Sequence, residues 1–124
     1  MNKKVINELL DTGVWGEMDA EMGVESDFKC EYCGKDLLLS VDAYKEWQTD
    51  HLIPSSSGGE DCKSNDVISC RTCNFIKGRW NPLGDDDSCS RDEMINRAKN
   101  YINRKRSQNE KLLVRFREIA GRSK

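Results

Sequence analysis

Asp50 and His51 are neighbours in the chain, and His51 is the only histidine among its 124 residues. An imidazole has an unperturbed pKa near ~6.5, so at neutral pH it can take a proton from water. A carboxylate supplies the hard oxygen that Mg²⁺ or Mn²⁺ prefers. The pair therefore offers a general base and a metal ligand side by side.

Two Cys-x-x-Cys pairs flank this dipeptide, Cys30 with Cys33 and Cys70 with Cys73. Four thiolates in two close pairs are the tetrahedral ligand set of a structural zinc ion. A redox site is disfavoured because no βαβ pattern flanks either pair. Two disulfides would suit a secreted chain, but no apolar run is long enough for a signal peptide or membrane span. We expect a zinc site in a reducing, cytoplasmic setting.

The size of the chain makes such a zinc ion important. With 124 residues, 36% hydrophobic and 34% charged, we expect a single domain over residues 1–124 with a modest core. Structural zinc can stabilise a small fold by an apparent ~10 kcal/mol or more. The metal-free chain is therefore expected to lose its shape.

Several motifs between and after the cysteine pairs occur in a fixed order. These are Asp50-His51, Pro54 and Gly58-Gly59 in a polar loop, Asn65, and Cys70-Arg71-Thr72-Cys73-Asn74 with Lys77 and Gly78. In order and spacing the set resembles the HNH endonuclease family, with an HNH nuclease core over residues 28–83. The resemblance implies an α+β fold: a small ββα-metal core around a four-cysteine zinc site.

The same resemblance implies roles for individual residues. His51 corresponds to the general base, and Asp50 and Asn74 correspond to the ligands of a catalytic divalent ion. Many relatives carry a second histidine where this chain has Asn74, and a neutral amide oxygen favours Mg²⁺ or Mn²⁺ over softer metals. Asn65 corresponds to an asparagine that braces the loop and helps to orient the base. An ordinary turn asparagine is the alternative for Asn65.

Three basic residues are candidates for substrate binding. Lys77 shares a helix face with Asn74 if a helix begins near Cys73, and it could then contact a phosphate. Arg71 and Arg79 are weaker candidates, because surface charge alone explains an exposed arginine.

The hydrophobic pattern predicts the elements around this core. We expect an N-terminal helix ending at Gly13 and an irregular cover to residue 27, strands at 37–39 and 47–53, a turn or helical turn at 40–46, and a returning strand at 67–68. Neighbouring strand residues point to opposite faces, so Asp50 and His51 can share one phosphate only if the strand twists or ends there. Ser90-x-x-Glu93 has the form of a capping box. It predicts a helical extension over residues 90–124, as two helices or one long bent helix.

Charge is distributed unevenly along the chain. Residues 91–124 carry 11 basic and 4 acidic side chains, net +7, whereas the preceding residues carry 9 basic and 18 acidic, net −9. The basic extension could bind phosphates, although an amphipathic helix also needs a solvated charged side.

The resemblance implies a metal-dependent HNH endonuclease that hydrolyses phosphodiester bonds, acting on double-stranded DNA, with RNA left open as a substrate. Its cofactors would be a structural Zn²⁺ and a catalytic Mg²⁺ or Mn²⁺. The alternative is a non-catalytic, zinc-stabilised module for nucleic-acid binding or protein interaction. A third reading is a subunit that needs a protein partner in a larger assembly, of a phage or restriction-like kind. No membrane association is expected.

Overall fold

The computed structural model describes residues 2–122, and they form a mixed helical and two-stranded fold. The elements are α1 (Lys3–Asp11), α2 (Glu17–Glu25), α3 (Val41–Lys45), β1 (Trp47–His51), β2 (Asp66–Cys70), α4 (Arg71–Lys77) and α5 (Arg91–Ile119). The α+β class expected from the sequence is confirmed, with a hairpin followed directly by a helix. Within residues 2–122, no helix combines the length and the hydropathy needed to cross a membrane.

The hairpin of β1 and β2 lies at the centre of the fold. The strands are antiparallel, and their register pairs Asp50 with Val67 and His51 with Asp66. All five residues of β2 are buried, whereas β1 is mostly half-buried. Cross-strand partners share a face of the sheet. The side chains of His51 and Asp66 therefore lie on one face, and Asp50 lies on the other.

Helix α4 begins without a connecting loop, because Cys70 ends β2 and also caps the helix. The Cys70 thiol accepts a hydrogen bond from the backbone N–H of Cys73 at 3.3 Å. The helix ends at Gly78, whose φ of 54° is accessible to glycine at little cost. This arrangement fixes α4 against the hairpin and places its side chains beside β1.

Two parts of the N-terminal half differ from expectation. Residues 14–27 are not an irregular cover, because α2 forms there with Glu17 and Asp19 in its first turn, where acidic side chains favour a helix N-terminus. Residues 37–39 are not a strand. The Asp36 carboxylate accepts the Leu38 N–H at 3.0 Å and closes a turn that buries Leu37 alone.

Helix α5 is one continuous helix rather than two. Ser90 caps it by accepting the Glu93 N–H at 3.1 Å, as the capping box predicted. No glycine or proline interrupts the polar stretch that follows its first half. The first half buries Met94, Ile95, Ala98 and Ile102 against the hairpin core, whereas its second half is exposed.

Candidate active site and zinc centre

Cys30, Cys33, Cys70 and Cys73 converge at one point, with one ligand atom from each within 4.8 Å of all the others. The Sγ atoms of Cys33 and Cys70 are 3.8 Å apart. That distance is far longer than a disulfide of about 2.05 Å. It matches the roughly 3.8 Å expected between two sulfurs bound tetrahedrally to zinc at about 2.3 Å. The predicted four-cysteine cluster is confirmed, and its donors and spacing fit a structural zinc ion.

Helix α5 also contacts this cluster. The guanidinium of Arg106 donates a hydrogen bond to the Cys73 sulfur at 3.2 Å, and this bond raises the pKa of Arg106. Four thiolates around a divalent ion leave a net charge of −2, which a neighbouring cation offsets. The role of Arg106 in the basic extension is therefore structural at least in part.

The Asp50 carboxylate lies in a buried network. Asp50 is 7% exposed, and its Oδ2 accepts the hydroxyl of Tyr32 at 2.6 Å and lies 3.3 Å from the ammonium of Lys77. Lys77 also donates to the carbonyl oxygen of His51 at 3.0 Å. Burial lowers the pKa of Lys77, and the Asp50 charge opposes that shift. Burial and the Asp50 charge raise the pKa of Tyr32. Both donors thus hold Asp50 in place.

His51 ends β1, and its side chain remains about a third exposed. The Nε2 atom is buried, and it lies 3.5 Å from one carboxylate oxygen of Asp61 and 3.5 Å from one of Asp66. Because Nε2 is shielded, water reaches the imidazole from elsewhere on the ring.

Asn65 ties the loop after β1 to the start of β2. Its Oδ1 accepts the Ile53 N–H at 2.8 Å, and its Nδ2 donates to the carbonyl oxygens of Ile53 at 3.0 Å and Glu60 at 2.9 Å. Gly59 lies so close that an added Cβ would be 1.7 Å from the Ile53 carbonyl oxygen. Asn65 thus braces both ends of the loop.

Asn74 lies on α4, where its Nδ2 donates a hydrogen bond to the side chain of Gln48 on β1. This bond orients the amide and leaves its oxygen as an acceptor for another group. Gln48 and Asp50 are two residues apart on β1 and so share a face of the strand. Asn74 therefore packs against the same face of β1 that carries Asp50.

An open cleft of about 470 Å³ lies at the end of β1. It is bordered by Asp50, His51, Pro54, Ser55, Ser56, Gly78 and Arg79. Two neighbouring strand residues of opposite faces meet there because the strand ends at His51. The cleft therefore presents a carboxylate, an imidazole and a guanidinium to one space.

Residues 30–79 match the HNH endonuclease family. This segment is similar to the HNH endonuclease family. The match covers 50 of the 124 residues, from the first zinc cysteine to Arg79. No curated protein and no solved structure matches the chain at a significant level. An HNH domain indicates a nuclease or nucleic-acid-binding function.

The matched segment does not gather all of the predicted site residues into one cleft. Asp50, His51 and Arg79 border the cleft, and Asn65 supports the loop beside it. Arg71 is exposed on a separate surface with Thr72, Phe75 and Ile76.

Lys77 requires a correction. We expected it to contact a phosphate, but its side chain is 0% exposed and its ammonium is occupied by Asp50 and the His51 carbonyl. Desolvation of a lysine is tolerated here because the buried carboxylate compensates it.

Four residues that contact the site were not anticipated. They are Tyr32, Gln48, Asp61 and Asp66. Two of them could have been found from the strand pattern: Gln48 lies two residues before Asp50 on β1, and Asp66 starts the strand that returns beside His51. Tyr32 and Asp61 lie outside the helices and strands, and no local pattern predicts their contacts.

Proposed function

We propose that this chain is a metal-dependent endonuclease that hydrolyses phosphodiester bonds of double-stranded DNA, with His51 as the general base. The observation that carries the proposal is the cleft bordered by Asp50, His51 and Arg79. Hydrolysis needs an activated water, charge stabilisation on the phosphate and in-line geometry. This cleft brings groups for the first two requirements together.

His51 would take the proton of the attacking water on Nδ1. Asn65 supports that role because it fixes the loop that follows His51, through its hydrogen bonds to Ile53 and Glu60. A base held in one position loses less rotational freedom on reaching the transition state. General-base catalysis of this kind contributes typically 10²–10⁴-fold to a rate.

Asp50 and Asn74 would hold a catalytic Mg²⁺ or Mn²⁺, which supplies a Lewis acid for the scissile phosphate when bound. The donor set fits such an ion, because a carboxylate and an amide oxygen are hard ligands. In the described residues, the hydrogen bond and ion pair of Asp50 both use Oδ2, so Oδ1 stays available to a ligand. The bond from Asn74 to Gln48 likewise leaves the amide oxygen of Asn74 open.

Lys77 and Tyr32 would act as positioning residues for Asp50. Each donates to its carboxylate from a buried position, and Lys77 also fixes the carbonyl of His51. One lysine therefore ties together the backbone of the base and the side chain of the metal ligand. Arg79 at the rim, and Arg71 at the start of α4, would contact phosphates of the substrate.

Fewer residues of α5 are available for DNA than its net charge suggests. Arg106 contacts the zinc cluster, and Arg97 pairs with Asp86 and Glu93. Phosphate contacts of the extension would instead come from its exposed basic residues, namely Arg104, Lys111 and Arg115 on α5 and Arg122 beyond its end.

The second candidate is a zinc-stabilised module that binds nucleic acid or a protein partner without cutting. The observation in its favour is the pairing of Asp50 with Lys77, since an ammonium 3.3 Å away opposes the approach of a second cation.

A nicking assay separates the two candidates. Zinc-loaded protein is incubated with supercoiled plasmid and Mg²⁺ or Mn²⁺, alongside His51→Ala and the distant control Gln108→Ala on the exposed half of α5. We expect nicking by wild type and the control, and at least a 10²-fold slower rate for His51→Ala. Equal nicking by all three would indicate contamination, and inactive wild type that still binds the plasmid would favour the binding module. Single-stranded DNA and RNA of the same sequence test the substrate class.

A further inference from the structure

Three buried polar atoms lie together beside β1 without hydrogen-bond partners. Among residues 2–122, the buried side-chain nitrogen and oxygen atoms that lack a partner are Nε2 of His51 and both carboxylate oxygens of Asp66. Asp66 is 0% exposed. A buried carboxylate without a partner is costly, and such a group in a folded protein calls for a ligand or a proton.

The spacing of these atoms differs from that of a hydrogen bond. Nε2 of His51 lies 3.5 Å from Asp61 Oδ1 and 3.5 Å from Asp66 Oδ1. A charge-assisted N–H···O bond would be about 2.7–2.9 Å long. Two ligands bound tetrahedrally to one ion at about 2.1 Å are roughly 3.4 Å apart. One ligand atom from each of the three residues also lies within 4.8 Å of the other two.

Charge points to the same ligand. Two carboxylates face a single imidazole, so the cluster has a charge of −2 when the ring is neutral. Arg91 is nearby, but it donates to the carbonyl oxygen of Asp66 and to the Glu31 carboxylate instead of to the side chain of Asp66. A divalent cation would neutralise the cluster. The side chain of Asp61 is 76% exposed, which gives an ion a path from solvent.

We propose that His51, Asp61 and Asp66 form a divalent-cation site, separate from the four cysteines and from Asp50 and Asn74, that takes a transition ion such as Zn²⁺. One imidazole nitrogen and two carboxylate oxygens suit such an ion better than Mg²⁺, and three protein ligands leave a coordination position open. The site lies on the opposite face of β1 from Asp50. The inference goes beyond the proposed function: with the ion on Nε2 and the ring proton on Nδ1, His51 has no lone pair for the proton of water, so an occupied site would inhibit the proposed cleavage.

The only histidine of the chain makes the test direct. Protein that already holds one equivalent of zinc on its cysteines is titrated with further Zn²⁺ while the imidazole ¹⁵N and ¹H resonances are followed by NMR. We expect a second equivalent to shift Nε2 to a metal-bound position and to leave the ring proton on Nδ1.

Variants show which ligands hold the ion. Asp66→Asn and Asp61→Asn should each weaken the second Zn²⁺ at least tenfold, whereas Asp50→Asn and the loop control Asp85→Asn should change it less than twofold. If Asp66→Asn fails to fold, the exposed position Asp61 decides. If the histidine resonances do not shift at millimolar Zn²⁺, the proposal is wrong. Unchanged affinity in Asp61→Asn, or loss of the second ion in Asp50→Asn alone, would also overturn it. No arm of this test depends on cleavage.

Discussion

Replacing Lys77 with methionine tests the buried network that holds Asp50. Methionine keeps much of the length and volume of the side chain but removes the ammonium, which lies 3.3 Å from Asp50 Oδ2 and donates to the His51 carbonyl at 3.0 Å. Asp50, at 7% exposure, would keep only Tyr32 as a hydrogen-bond donor among the described residues. Removing one partner of a buried ion pair costs about 3–5 kcal/mol, because the remaining charge is left uncompensated.

The reverse change should cost less. In Asp50→Asn the buried Lys77 can release its proton, because burial already lowers its pKa. In the double variant neither charge remains. We therefore expect its loss of unfolding free energy to be at least ~2 kcal/mol smaller than the sum of the two single losses. Independent sites add to within ~0.5 kcal/mol, so this difference would show that the two residues are coupled. The assay is urea unfolding at saturating zinc, followed by tryptophan fluorescence. Lys111→Met on the exposed half of α5 is the matched control, and it should stay within ~0.5 kcal/mol of wild type.

This cycle also decides what Lys77 does. A loss below ~1 kcal/mol in Lys77→Met, with additive single changes, would mean that the ion pair is not formed and that the lysine is free to bind substrate. A phosphate-binding lysine would also lower the salt slope of DNA binding by about 1 when removed. A positioning lysine leaves that slope unchanged in Lys77→Met.

Three further outcomes follow from the same contacts. Chelation of zinc should unfold the chain, which would be measured as loss of the helical circular dichroism signal together with one bound zinc per chain. Cys70→Ser should unfold in the same way. A chelated chain that keeps its circular dichroism spectrum would show that zinc does not stabilise the fold. Gly59→Ala should cost more than ~3 kcal/mol of unfolding free energy, because its Cβ would be 1.7 Å from the Ile53 carbonyl oxygen. Gly16→Ala, at the N-cap of α2 with nothing within 4 Å, should cost no more than ~1 kcal/mol in urea unfolding. Burial, reinforced by Asp61, raises the pKa of Asp66 to about 6 from 3.8. The folded state then binds the proton more tightly than the unfolded state, so stability should fall as pH rises towards and through 6. Without added divalent ions, the unfolding free energy of wild type should fall by about 1.4 kcal/mol more than that of Asp66→Asn between pH 5 and 8. Parallel plots of unfolding free energy against pH for the two proteins would contradict the raised pKa.

Local patterns were sufficient for the parts of the fold that depend on neighbouring residues. The two Cys-x-x-Cys pairs, the Ser90 cap and the apolar stripe of α1 are each specified within a few residues, and the structure has them as expected. The run of leucines at 37–39 misled because an aspartate side chain closed a turn in place of a strand. Helix α2 was missed because its weakly patterned sequence is stabilised by packing, with Ala20 and Met22 buried.

The site shows a different limit. A sequence names the residues that carry chemistry, but it does not say which face of an element each residue occupies or what lies opposite.

Lys77 illustrates this limit. Its spacing from Asn74 is correct for a shared helix face, yet that face is turned into the protein, so the charge is used for Asp50 instead of a phosphate. His51 and Asp66 become partners only through strand register, 15 positions apart in the chain.

Asp50 and His51 point to opposite faces of β1, yet the proposed reaction needs both residues at one cleft. Adjacent strand residues point apart, so Asp50 lies with Tyr32 and Lys77 while Nε2 of His51 lies with Asp61 and Asp66. Both side chains still border the cleft, because no strand continues beyond His51 to separate them. The opposed faces let the two functions be controlled separately: one set of partners holds the carboxylate, and another, of opposite charge, surrounds the far nitrogen of the base.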